Sequence, residues 1–384
     1  MARRSDGRGN MRWWLAILGG VFACALAILF LSIGNVYSVS LLGAPLAYDR
    51  GDATSTPSDP PPPPLNKGLY NEKLLALAHV ATSSPWYNAF LAGTTTPIDA
   101  QGNVATTSAP KPLWPVHRTY PNAGAILPFN RIVAYYGNFY STAMGVLGEY
   151  PQDQVLSMLA STTRQWEAAD PSTPVIPAID YIAVTAQGSA GSDGMYRARM
   201  PDSQIQKAID MANQIHGLVI FDIQVGLSNV QTEIPLFKQY LELPNVELAI
   251  DPEFSMKDGT PPGREIGTYD ASDINWVANY MASIVDANDL PPKILIVHRF
   301  TEDMVTNYKK ITPLPEVQVV MDMDGWGFPA KKVNTYQQVI APEPVQFTGF
   351  KLFYKADLQA PAYRLMTPAE VLSLTPAPIF IQYQ

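Results

Sequence analysis

The chain is predicted to be an α/β protein whose body, residues 131–384, forms a (β/α)8 barrel. Three observations carry this: short apolar runs alternate with longer segments of helical period, eight such runs occur, and no glycine-rich phosphate loop follows the first run. A chain of 384 residues holds one barrel of roughly 250 residues with an anchor and a linker to spare. Eight strands joined by right-handed crossovers close more readily into a barrel than into an open doubly wound sheet.

The expected units follow in order. Ile132 to Tyr136 is the first strand, with a helix around Gln152 to Ala168. Val175 to Ile179 is the second, followed by a Gly/Ser loop and a helix from Asp202 to Ile215. Leu218 to Phe221 and Glu233 to Leu241 form the third unit, and Val246 to Ile250 with Ala271 to Ala287 the fourth. Ile294 to Val297 and Thr301 to Lys309 make the fifth, Val317 to Met321 and Ala330 to Val339 the sixth. Phe347 to Phe353 with a short helix Pro368 to Ser373 is the seventh, and Ile379 to Tyr383 the eighth strand. Asp202 and Thr301-Glu302-Asp303 put oxygen acceptors and negative charge where helix starts need them. Pro291-Pro292 and Pro313 to Pro315 end helices before strands.

The residues ahead of the barrel divide by composition. Residues 1–12 are a basic tail with four arginines against one acid. Residues 13–33 carry no charge and have the length of a bilayer-crossing helix, so the basic tail should stay cytoplasmic and the body lie outside the membrane. A cleaved signal sequence is the competing reading, its apolar core usually being about 7–15 residues. A third is a poor lipoprotein box at Val21 to Cys24, and all three export the body. Residues 34–67 form a Pro/Ser/Thr-rich linker with a proline run from Pro60 to Pro64, a stiff spacer that cannot build a core. Residues 68–130 are expected to pack on the barrel, starting with an amphipathic helix over Leu69 to Ala81.

Charge narrows the partners. The net charge is −8, and since the first twelve residues contribute +3, the remainder stands at −11. An acidic body without a basic patch argues against nucleic acid. The single cysteine, Cys24, lies in the apolar segment, leaving the body no disulfide, thiol nucleophile or Cys metal site. No cofactor is implied. No G-x-S-x-G occurs, which argues against a serine nucleophile; no HxH or HExxH occurs and His79, His117 and His216 lie away from the strand tips, so metal-dependent hydrolysis is the weaker alternative and no metal ligands are assigned.

Such barrels place function at the C-terminal tips of their strands. Read in order, the tips give Tyr135, Tyr136 and Asn138; Asp180; Asp222 and Gln224; Asp251 and Glu253; His298 and Arg299; Asp322, Asp324 and Trp326; Tyr354 and Lys355; and Gln382. Acids at four tips among Tyr, Trp, Asn and Gln suit a polyhydroxylated ligand, since aromatic faces cover sugar rings while carboxylates and amides bind hydroxyls. Two opposed carboxyls are the minimum set for glycosidic cleavage. Glu253, lifted by the Pro252 turn, is the expected proton donor, and Asp322 the nucleophile or base, with Asp251 and Asp324 as their alternates. Strand alternation puts Asp251 with Glu253, and Asp322 with Asp324, on shared sides. Each acid has a structural alternative, as a helix cap or a partner of Arg199, Arg264 or Arg299.

Tyr135-Tyr136-Gly137, Gly145 to Glu149, Ala249 to Glu253, Val297 to Met304 and Asp322 to Gly325 together resemble a family of exported bacterial proteins, membrane-anchored or lipid-modified, with no assigned activity. The resemblance spans most of residues 130–338 and implies a barrel distantly similar to glycoside hydrolases; it supplies no catalytic residues. The large retaining-glycosidase group bears acids on strands four and seven, whereas the seventh strand here ends in Lys351, Tyr354 and Lys355. The leading expectation is a cell-surface glycoside-hydrolase-like barrel acting on envelope or extracellular polysaccharide. The alternative is a surface protein that binds glycan or wall material without cleaving it.

Overall fold

The computed structural model describes residues 62–384. The basic tail, the expected membrane segment 13–33 and nearly all of the linker lie outside the described residues; within them no helix is long and apolar enough to cross a membrane.

Eight parallel strands close on themselves: β1 (Arg131–Gly137), β2 (Val175–Ala186), β4 (Leu218–Ile223), β5 (Val246–Ile250), β7 (Lys293–Arg299), β9 (Val317–Met323), β10 (Phe347–Leu352) and β11 (Phe380–Tyr383). Closure is made by β1, which pairs with β2 on one side and β11 on the other. A short strand, β3 (Arg197–Arg199), runs antiparallel to the end of β2. The pair β6 (Tyr269–Asp270) and β8 (Val305–Thr306) lies outside the barrel.

Alternation along the strands sorts side chains into two cores. Ile132, Ala134, Ala178, Ile220, Ala249, Ile296, Val320 and Phe380 belong to the core that fills the lower barrel and meets the N-terminal extension. Val133, Tyr135, Ile179, Phe221, Leu248, Val297, Met321 and Ile381 belong to the layer beneath the helices. In the extension, α1 (Lys67–Leu77) and α2 (Pro85–Leu91) bring Tyr70, Leu74, Leu75 and Phe90 into the lower core. Trp114 donates to the carbonyl of Ala341 at 2.8 Å, and Arg118 to that of Val345 at 2.7 Å, fastening the stretch after α2 to the barrel.

Three helices match expectation closely: α4 (Gln152–Ala169, after the single turn α3, Val146–Glu149), α5 (Asp202–Gln214) and the fourth crossover helix, Ala271–Asn288. The third, fifth and sixth crossovers differ for identifiable reasons. Pro235 splits the third crossover into α6 (Val230–Glu233), a 3-10 turn and α7 (Lys238–Leu241). The fourth crossover, α8 (Ala271–Asn288), starts at a capping box of Asp270 with Asp273. The fifth has no α-helix: Thr301 to Lys309 forms two 3-10 turns around β8, with Asn307 left-handed at φ 58°. The sixth, α9 (Pro329–Thr335), continues as one π-helical turn. After β10, only α10 (Pro368–Leu372) precedes the last strand.

Candidate functional site

At the C-terminal end of the barrel, the inward side chains change from apolar to charged. Asp180, Asp222, His298, Asp322 and Gln382 are all 0% exposed, and Tyr136, Asp251 and Lys351 are buried with them. Glu253 at the β5 tip stays partly exposed, and Asp324, buried at 8% exposure, is the next most accessible acid, so these two carboxyls lie nearest the solvent edge of the cluster.

His298 is the hub. Its Nδ1 lies 3.0 Å from Asp322 Oδ2 and 3.7 Å from Asp324 Oδ2, and its Nε2 is 3.5 Å from Asp222 Oδ2. The first is a hydrogen bond; the last is an ion-pair distance too long for a good one. Register explains the convergence, since His298 of β7 sits directly beside Asp322 of β9. Burial alone would lower the pKa of His298, but Asp222 and Asp322 outweigh it and hold the ring well above its usual value. Burial raises the pKa of Asp322, an effect His298 opposes.

Lys351 is the second cation. Its Nζ is 3.1 Å from Asp324 Oδ1 and 3.9 Å from the centre of the Tyr136 ring. Burial would neutralise it, but Asp324, Asp251, Asp222 and Asp322 overcome this and raise its pKa. Two amides tie down two further acids: Gln382 donates to Asp180 at 2.6 Å, and Gln224 to Asp251 at 3.3 Å and to the Tyr136 hydroxyl at 3.2 Å. Burial, with Asp222 nearby, pushes both Asp180 and Asp251 up to about 8. For Glu253, burial and then the charges of Asp251 and Asp324 raise the pKa well above the ordinary carboxylate range. Burial and mutual repulsion therefore raise the pKa of several acids in one cluster, a pattern found where acid/base chemistry occurs.

The loops above interlock. Leu227 donates to the carbonyl of Met195 at 2.9 Å and Met256 to that of Gly226 at 3.0 Å, joining the loops after β2, β4 and β5. Gly226 has a φ of 61°, and a Cβ there would run into the Met195 and Tyr196 carbonyls, so the close approach requires glycine. A buried clamp holds the base of this cover: Glu233 accepts from Arg197 at 2.8 Å and from Arg199 at 2.7 Å.

The structure brings Tyr136, Asp180, Asp222, Gln224, Asp251, Glu253, His298, Asp322, Asp324 and Gln382 together. It separates the rest. Tyr135 points into the helical layer, bonded to Thr162 (2.8 Å) and to the hydroxyl of Tyr354 (2.9 Å), because it has the opposite parity to Tyr136. Arg299, opposite in parity to His298, faces outward to Glu343 and the carbonyls of Thr301 and Glu302. Asn138 uses its amide on the carbonyl of Ile182 and the backbone of Tyr140. Lys355 pairs with Glu149 at the surface, and Trp326 lies at the rim under Lys331. Asp180 is not a tip residue: β2 runs six residues further, to Ala186, through an apolar, β-branched stretch. Asp322 is expected as nucleophile or base, but it is sealed and bound to His298, whereas its neighbour Asp324 reaches the edge. The expected side-sharing of Asp322 with Asp324 is seen at His298, while the 3-10 turn of Pro252–Phe254 breaks simple alternation after Asp251.

Two residues of the seventh barrel strand join the site without being assigned to it by the strand-tip reading, in which Lys351 is only the strand's end. Lys351 and Gly349 face inward from β10, and their alternation within the apolar run Phe347 to Phe353 is the signal that could have found them. Among the described residues no set of three or more His, Cys, Asp or Glu side chains is arranged to hold a metal ion. Nδ1 of the only histidine in the cluster is bonded to Asp322, leaving no free imidazole edge on that side.

No family model and no curated protein matches the chain. Among solved structures it is similar to a Bacillus subtilis mannanase, at 11% identity and a TM-score of 0.34, with 67% of this chain and 81% of that one covered. A protein described as GH26C from a Muricauda species is similar at 9% identity and a TM-score of 0.29, covering 65% and 70%. Likeness at this level transfers no residue role to this chain.

Proposed function

We propose that the protein is a glycoside-hydrolase-like barrel acting on polysaccharide by carboxyl acid/base chemistry, with Glu253 as proton donor and Asp324 as its partner carboxylate. The observation that carries this is the position of Glu253: it stays partly exposed at the edge of the cluster, while desolvation and the charges of neighbouring Asp251 and Asp324 raise its pKa well above the ordinary carboxylate range. A carboxyl raised in this way can pass its proton to a glycosidic oxygen as the bond to the sugar breaks. Asp324, oriented by Lys351, would act on the anomeric carbon directly or through water, the separation of the pair setting retention or inversion. Asp322 and His298 then serve as supports, fixing Asp324 from below. The uncharged run 13–33 supports a body held outside a membrane, where envelope or extracellular polymers are within reach.

Binding without cleavage is the second reading, favoured by the complete burial of Asp180, Asp222, His298 and Asp322 beneath interlocked loops. Reducing-end release from a polysaccharide panel separates the two. Hydrolysis by the parent, lost in Glu253→Gln and Asp324→Asn with folding intact, supports the enzyme. A parent that retains a polymer in affinity electrophoresis, releases no ends and binds equally well as Glu253→Gln overturns it in favour of binding.

A further inference from the structure

The opposite end of the barrel carries a cavity of about 310 Å³ where the N-terminal extension meets the barrel. Its walls come from α1 and the turn after it (Lys73, Leu77, His79), the start of β1 (Arg131) and the end of α4 with its following loop (Asp170, Thr173). Arg131 is unusual among these. It is 1% exposed, and only its Nη2 is bonded, to Asp170 Oδ2 at 3.1 Å. Its Nε and Nη1 have no hydrogen-bond partner among the protein atoms. A buried guanidinium with two idle donors costs free energy that a simple structural role does not recover.

The carboxylate in the wall, Asp170, offsets part of this charge, but its oxygens are directed at protein donors. Asp170 Oδ1 already accepts from the backbone and hydroxyl of Ser172, at 3.2 and 2.6 Å, and Oδ2 accepts from Arg131. Lys73 adds a second positive charge, its Nζ held at the carbonyl of Ser172 at 2.6 Å. His79 lies in the same wall, its Nδ1 3.1 Å from the Thr375 hydroxyl. The indole of Trp166, its ring centre 5.7 Å from the Arg131 guanidinium carbon, limits movement of the fork. Lys73 and the Arg131 N–H donors that no protein atom engages, gathered at one concavity, favour an oxyanion, since charge-assisted N–H groups bind carboxylate or phosphate oxygens.

We propose that this cavity, at the face of the barrel away from the acidic cluster, binds an oxyanionic group, with Arg131 and Lys73 as its principal ligands. Phosphate and carboxylate share the recognising geometry, and the site is independent of the polysaccharide chemistry at the other end. The test is calorimetric titration of the purified full chain with inorganic phosphate and, in a separate arm, with glucuronate, at constant ionic strength set by chloride. Saturable heat with phosphate, glucuronate or both supports the site, and the stronger arm identifies the source. Lys73→Ala, a change at an exposed side chain, should weaken binding about tenfold, as loss of one charge-assisted hydrogen bond does. Arg131→Gln should abolish it, and Lys309→Ala, a surface lysine elsewhere, should leave it unchanged. No saturable heat in either arm, or equal weakening by Lys309→Ala and Lys73→Ala, overturns the proposal. Should Arg131→Gln not fold, the Lys73 and Lys309 pair decides it alone.

Discussion

Gly349 sits in β10 between Asp322 of β9 and Phe380 of β11, its direct neighbours across the sheet. A Cβ added there would collide with Asp322 Oδ1 and come within 3.1 Å of Asp322 Cγ and 2.9 Å of Phe380 Cδ1. Neither neighbour can retreat: both are 0% exposed, and Asp322 is bonded to His298. Overfilling a packed interior costs about 1–3 kcal/mol, and stretching a hydrogen bond to a charged group adds about 1.5–3 kcal/mol when the bond is lost. Gly349→Ala should therefore destabilise the protein by about 2.5–6 kcal/mol, lowering Tm by about 4–9 °C at the roughly 1.5 °C per kcal/mol that the unfolding entropy of a body this large implies. Urea unfolding at constant m reads the loss directly. The mechanism is separable from generic crowding in a double-mutant cycle with Asp322→Ala, which removes the carboxyl that the new methyl strikes. In that background the cost of Gly349→Ala should fall by about 1–2 kcal/mol. An equal cost in both backgrounds would refute the account, as would an unperturbed Gly349→Ala.

Three further outcomes follow from the same geometry. Asp180 and Asp251, held near 8, and Glu247, held near 7 by burial that Lys293 only partly offsets, bind protons in the folded state that the unfolded chain has released. His298 does likewise above its ordinary value. More protons bound when folded means that stability falls as pH rises from about 5 to 8, by up to about 1.4 kcal/mol per pH unit for each group in transition; a urea midpoint higher at pH 8.5 than at pH 5.5 would contradict this. Lys351→Met leaves Asp324 buried without its cation and should cost about 3–5 kcal/mol, with Lys351→Arg recovering part of it in the same unfolding assay. Glu233→Gln unpairs Arg197 and Arg199 and should free the loop of residues 187–196, seen as faster hydrogen exchange there; unchanged exchange would show that the clamp does not hold the cover.

The sequence by itself determined the barrel and the end at which its charges collect. Eight apolar runs at β-α spacing can bury their faces only by closing around a core, and hydrophilic residues at the end of each run fall on one rim by topology alone. Ile294 to Val297 and Val317 to Met321 were legible because period and composition agree over the whole element. What periodicity could not determine is where an element stops when a single residue decides it: Pro235 splits one helix, and the β-branched pair Val305–Thr306 replaces another. Only the tertiary structure decided which tip residues share the cluster. Parity separates Tyr135 from Tyr136 and Arg299 from His298, and that parity depends on the strand register fixed across the closed sheet. Burial, likewise, is a property of the assembled loops. It seals Asp322 and leaves Glu253 and Asp324 at the edge, so the protonation of each acid depends on neighbours that lie far from it along the chain.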